Sequence, residues 1–185
     1  MRAHLNNLYM VIFAANFWGS LTFARQIGGR VVNGQNATQG QFPYLVSWWN
    51  DQNVHFCGGS IFTETTIITA AHCCEQDWGK WPYIYTKIVA GELDLKVSSG
   101  LEQTRWVKSL IIHPDYNKAT FPPFQHDICL LTMDSPLEFN GHVRRINLDE
   151  EDPMVNTKCQ VSGWGSLAVS IQSTLHLPKY ISEHF

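Results

Sequence analysis

An all-β fold of short antiparallel strands is what these 185 residues predict, and three observations carry the expectation. Hydrophobic residues make up 44% of the chain and charged residues 16%, the balance of a globular core-former. Runs rich in Val, Ile, Thr and aromatic residues recur at short intervals, punctuated by Gly, Asn, Asp or Pro, as strands and turns are. Helical periodicity is nearly absent. A net charge of −3 argues against a nucleic-acid surface, which needs a basic stripe. No internal run approaches the roughly 18 apolar residues of a membrane-spanning helix.

The N-terminus departs from this pattern. Arg2 gives a positive start, Leu8 to Ala15 (LYMVIFAA) an apolar stretch, and Thr22-Phe23-Ala24 a small-x-small cleavage site. Residues 1–24 therefore read as a signal peptide, against the alternatives of an uncleaved anchor or a first core element. Secretion is the expected location. It makes the five cysteines, Cys57, Cys73, Cys74, Cys129 and Cys159, candidates for disulfides, because the extracellular compartment is oxidising. Five is odd, so at least one lacks a partner.

Strands are expected over 44–49, 54–62, 66–69, 84–90, 104–112 and 128–133. Six such runs in sequence suggest a small antiparallel barrel or sandwich. A second set begins near His142, with a strand over 158–162 entering Gly163-Trp164-Gly165 and another within 173–182. Two or three strands do not close a barrel. No internal repeat or low-complexity segment interrupts this organisation.

The segment Thr69-Ala70-Ala71-His72-Cys73-Cys74 sets an imidazole against two thiols. It admits a metal ligand, a packed core residue or a general base. Consecutive residues chelate one ion poorly, and no second Cys/His spacing supports a metal. Asp127 enters the otherwise apolar run Ile128-Cys129-Leu130-Leu131. By itself it reads as a strand-start aspartate facing solvent. Beside an imidazole, a carboxylate would fix the tautomer and stabilise the imidazolium.

Five ordered segments then give a resemblance. VVNGQNATQGQFPYLVSW (31–48), HFCGGSIFTETTIITAAHC (55–73), IIHPDYN (111–117), HDICLL (126–131) and CQVSGWG (159–165) resemble the trypsin-like, chymotrypsin-fold serine proteases. The resemblance implies a trypsin-like double antiparallel β-barrel, with the first barrel at 31–137 and the start of the second at 138–185. It implies that His72 is the general base and that Asp127 orients it. Arg30 followed by Val31-Val32-Asn33-Gly34 is similar to the family's activation site, with 25–30 as a propeptide cleaved by an activating protease. The freed Val31 amino group would then need a buried carboxylate partner. Cys57 and Cys73 match the family's histidine-loop disulfide. Cys74 and Cys129 are not standard positions, and are left as a second bridge or two free thiols.

Other features are less specific. Glu92 and Glu102 flank a loop similar to the family's calcium loop, with Ser99 where many calcium-binding members are acidic. Calcium is an optional structural ion here, against two solvated carboxylates, and no cofactor is required. Asn36-Ala37-Thr38 is an N-glycosylation sequon. Trp78, Trp81 and Tyr83 either wall the leaving-group side of the cleft or pack locally on the barrel.

The nucleophile in such enzymes is the serine of Gly-Asp-Ser-Gly-Gly, and that sequence is absent here. Ser135, Ser162, Ser166, Ser170, Ser173 and Ser182 follow Asp127, none in a Gly-rich elbow. The resemblance places the oxyanion hole, the specificity pocket, the carboxylate for Val31 and the partner of Cys159 in the same missing region. Loss of the nucleophile costs about 10⁶ in turnover. These residues alone are expected to be inactive. Three readings follow: part of a secreted endopeptidase zymogen acting on proteins or peptides and met by protease inhibitors, a non-catalytic homologue serving as a binding or regulatory module, or a short isoform completed by another chain.

Overall fold

The computed structural model describes residues 35–75, 83–117, 119, 124–149, 157, 159–165 and 179–183. Its strands are β1 (Gln35–Asn36), β2 (Leu45–Trp49), β3 (His55–Ile61), β4 (Thr66–Thr69), β5 (Lys87–Ala90), β6 (Gln103–Ile112), β7 (Cys129–Met133), β8 (Cys159–Gly163) and β9 (Lys179–Glu183). One four-residue helix, α1 (Ala71–Cys74), follows β4.

Strands β2 to β7 form a closed barrel in the order β2-β3-β4-β7-β6-β5. Every ladder is antiparallel, and the β2–β5 pairing from Val46↔Ala90 to Trp49↔Lys87 closes it. Closure leaves no edge strand to attract another chain. The alternation in β7 shows how sequence sets the interior: Cys129, Leu131 and Met133 point inward and are buried, while Leu130 and Thr132 are half-buried. Val46, Trp48, Ile61, Ile67, Ile88, Val107 and Leu131 fill the core. Trp48 is the largest, 2% exposed, and its indole N–H donates to Thr86 Oγ1 at 2.8 Å. That bond lets a polar-tipped ring sit in an apolar core.

Gly59 is dictated by packing. A Cβ there would lie 2.7 Å from Ile67 Cγ2 and 3.0 Å from the Ile68 carbonyl oxygen, so β3 and β4 approach more closely than a side chain permits.

The expected strand over 84–90 begins only at Lys87, because Tyr83–Tyr85 form a 3₁₀ turn. Tyr83 carbonyl accepts from both Thr86 N–H at 2.9 Å and Thr86 Oγ1 at 2.5 Å. Those bonds turn a segment whose β-branched and aromatic composition reads as strand.

Beyond the barrel, β1, β9 and β8 form a three-stranded sheet in that order. Trp164, just past β8, is 4% exposed and donates its indole N–H to Leu93 carbonyl at 3.1 Å. Its ring also meets His55 of β3 edge-on at 5.6 Å. Trp164 thus keys the second sheet onto the barrel, and Ser162 of β8 adds a side-chain hydrogen bond with Tyr44. Among the described residues no helix is long and apolar enough to cross a membrane.

Candidate active site

His72 lies on α1, and a helix of four residues does not hold itself, since nucleation is unfavourable and little propagation follows. Ala70 provides no side-chain cap. Its anchors therefore come from outside. Ala70 and Ala71 are buried at the barrel end. Cys73 is bridged to Cys57 of β3, and Cys74 to Cys129 of β7. Of the two alternatives for Cys74 and Cys129, bridge or free thiols, the structure has the bridge.

Asp127 approaches from the opposite side, two residues before Cys129. It follows a sharp turn: His126 has φ 55°, and Ile128 N–H bonds His126 carbonyl at 2.7 Å. The turn aims the carboxylate at α1. Asp127 Oδ1 accepts the backbone N–H of His72 at 2.8 Å, and Oδ2 lies 2.6 Å from His72 Nδ1. Each side chain keeps 24% of its accessible surface. One carboxylate thus grips both the main chain and the ring of His72.

This grip decides the tautomer. An ionised carboxylate only accepts, so Nδ1 must carry the proton, and in the neutral ring Nε2 presents the lone pair. Nε2 is shielded from water and has no hydrogen-bond partner among the described residues. An imidazole with a fixed Nδ1–H, a counter-ion behind it and an uncommitted Nε2 can take and return a proton. Phe124 meets the His72 ring edge-on at 6.0 Å; it is half exposed and has φ 62°.

The metal alternative does not survive the geometry. Cys57, His72 and Cys73 bring three donor atoms within 4.8 Å. Both sulfurs, however, are consumed in one disulfide, so no thiolate remains to ligate.

Glu92 and Glu102 do approach one another across their loop. Burial first, and then the negative charge of Glu102, push Glu92 up to about 7. Glu102 is used differently. Its oxygens accept from Ser99 N–H at 2.7 Å, Ser99 Oγ at 2.8 Å, Ser98 Oγ at 2.8 Å and Gly100 N–H at 2.9 Å. Burial acts to raise its pKa, but the bonds from Ser99 and Ser98 together hold it down at about 2. Calcium takes six to eight oxygens. Here the loop turns N–H and O–H donors toward the carboxylate, so the described residues do not fit that ion as they stand.

Asn36 is exposed on β1. Tyr83 is partly buried against the core, the local-packing alternative for that ring. Cys159, at the start of β8, is in no disulfide. Arg30, Val31, Trp78 and Trp81 lie outside the described residues, as do the signal and propeptide segments.

Two features escaped sequence reasoning. Phe124 against His72 has only the Pro122-Pro123 turn signal before it. Ser47 Oγ lies 2.6 Å from His55 Nδ1, where burial lowers the imidazole to about 4 and keeps it neutral. No local pattern marks that pair.

Comparison with known proteins agrees with barrel and site. A family model described as Trypsin matches residues 31–179. Coagulation factor IX of Cavia porcellus is 41% identical, over 75% of this chain and 47% of its own length. Trypsin-1 of Astacus astacus is 37% identical over 74% and 57%, and Trypsin-3 of Homo sapiens 34% over 74% and 41%. The chain spans about half the length of the curated relatives it matches. With the closed barrel, the His72–Asp127 pair and the family match in register, the chain belongs to the trypsin family.

Proposed function

We propose that the whole protein is a secreted serine endopeptidase that cleaves peptide bonds in proteins or peptides, is activated by another protease after Arg30, and uses His72 as its general base. One observation carries the reading: Asp127 holds both the backbone N–H and Nδ1 of His72, leaving Nε2 uncommitted among the described residues. No cofactor is required in this reading. The expected glycan on Asn36 and the protease inhibitors that would compete with substrate belong to the same secreted setting.

In this scheme Nε2 takes the hydroxyl proton of a serine as its oxygen bonds to the scissile carbonyl carbon. The imidazolium, stabilised by Asp127, then gives that proton to the leaving amine nitrogen. Water hydrolyses the acyl intermediate with Nε2 again as base. The serine belongs to the Gly-Asp-Ser-Gly-Gly sequence of such enzymes, which these 185 residues do not include. By themselves these residues are inactive in this proposal.

The test uses the full-length protein, cleaved after Arg30, with fluorogenic peptide substrates and a fluorophosphonate label. Hydrolysis that falls about 10⁶-fold in His72→Ala supports the reading. A cleaved, folded protein that neither hydrolyses nor labels overturns it and leaves the binding-module alternative.

A further inference from the structure

The two bridges around His72 differ in what they join. Cys57–Cys73 ties α1 to β3 across 16 residues. Cys74–Cys129 ties α1 to β7 across 55 residues, and β7 is the strand whose entry turn carries Asp127. Spacing on the two sides is the same: the base is two residues before Cys74, and the carboxylate two residues before Cys129. The bridge therefore runs alongside the His72–Asp127 hydrogen bonds and joins the same two segments.

Each segment has anchors of its own. For α1 these are the Cys57–Cys73 bridge and buried Ala70 and Ala71. For the turn they are the His113 N–H bond to Ile128 carbonyl at 2.9 Å and the stacking of His113 on His126. None of these joins one segment to the other. α1 is one turn long without a side-chain cap. The 126–128 turn is exposed on the far side, with Ile128 52% exposed. Cys129, by contrast, is locked in the barrel, paired with Thr69 of β4 and Ile112 of β6. Tethering α1 to Cys129 fixes it to the rigid point from which the aspartate turn departs. Cys74 and Cys129 are 4% and 0% exposed, so the bridge is closed to thiol reductants in the folded chain, as a permanent brace requires.

We propose that Cys74 and Cys129 are positioning residues: their disulfide sets the separation of α1 and the β7 entry turn, and so holds Asp127 within hydrogen-bond reach of His72. The kinetic part rests on the peptidase reading above; the hydrogen-bond part does not. A displacement near 1 Å in such a pair costs on the order of 10²-fold in rate. Loosening the brace should act on turnover and leave substrate binding alone.

The experiment compares full-length protein with Cys74→Ala/Cys129→Ala, and with Cys74→Ala/Cys129→Val, which refills the volume should the first not fold. Two readouts are taken below the melting temperature. The first is the low-field proton resonance of His72 Nδ1–H, assigned by its loss in His72→Ala. The second is kcat and KM on a fluorogenic peptide. The proposal expects the resonance to broaden or exchange faster in a folded variant, with kcat down about 10- to 100-fold and KM within about 2-fold. A folded variant that only melts earlier, with the resonance and kcat of the parent, overturns it and makes the bridge a stability element alone. Should the parent itself show no hydrolysis, the peptidase reading fails, while the resonance still decides the positioning role.

Discussion

Substituting Asp127 separates its two duties. In Asp127→Ala the backbone N–H of His72 loses its acceptor at 2.8 Å and the ring loses its partner at 2.6 Å. An orphaned buried donor costs about 1–3 kcal/mol. The pair keeps 24% exposure, so water recovers part of this, and about 2 kcal/mol is expected. For a domain of this size that lowers Tm by about 4–8 °C. Asp127→Asn is different. Its carbonyl oxygen still accepts from the His72 main chain, so Tm should fall by less than about 3 °C. Its amide, however, donates to Nδ1 and forces the proton onto Nε2. The ring then holds the wrong tautomer, and turnover of the full-length protein should drop about 10⁴-fold, as for the corresponding change in Ser-His-Asp enzymes. Calorimetry and peptide hydrolysis on the two variants check this. An Asn variant as active as the parent, or an Ala variant that melts with it, would refute the two-duty account.

Further outcomes follow from packing and charge. Gly59→Ala drives a Cβ into Ile67 and the Ile68 carbonyl at 2.7 and 3.0 Å and should cost about 1–3 kcal/mol by chemical denaturation; Gly163→Ala, with nothing within 4 Å among the described residues, should be neutral. Trp48→Phe strands Thr86 Oγ1 from its indole donor and opens space in the core, so a loss of about 2 kcal/mol is expected in the same assay. Glu92 titrates near 7 against an ordinary 4.5. The folded chain therefore holds the extra proton between these values, and stability declines as pH rises through that window and is flat above it. Glu92→Gln should remove this slope, gaining about 1 kcal/mol at pH 8 once solvent screening at the half-buried site is allowed for; thermal melts from pH 4 to 8 measure it. Adding calcium or a chelator should leave those melts within about 1 °C, because the loop already satisfies Glu102 with its own donors.

Legibility followed the range of the interactions involved. The strand over Thr66–Thr69 could be read from its bounds because alternation and β-branching are local properties. Tyr83–Tyr85 misled for the same reason: its composition says strand, while two bonds to one carbonyl make a turn. β1 gave no signal at all, since Gln35 and Asn36 are polar and are strand only through pairing with β9. At the site, His72 and Asp127 lie 55 residues apart, and no spacing rule links them; ordered motifs did. The raised pKa of Glu92 was invisible, because it comes from burial in the folded chain, where Glu92 lines a cavity together with Phe42, His142 and Trp164, residues far from it in sequence.

The order of strands along the chain also dictates an order in time. All six barrel strands fall between Leu45 and Met133 without interruption, so the barrel has all its strands, both bridges and the His72–Asp127 pair once Met133 has left the ribosome. Leu137 and Val143 of the core follow shortly after. Gln35, by contrast, waits for Tyr180, and such distant pairings form late because the loop must close first. During synthesis the half-site is complete while its N-terminal strand is still unpaired. A nascent chain arrested after Met133 and the exit tunnel's length should already resist proteolysis across the barrel, while Gln35–Asn36 of β1 remain open to cleavage.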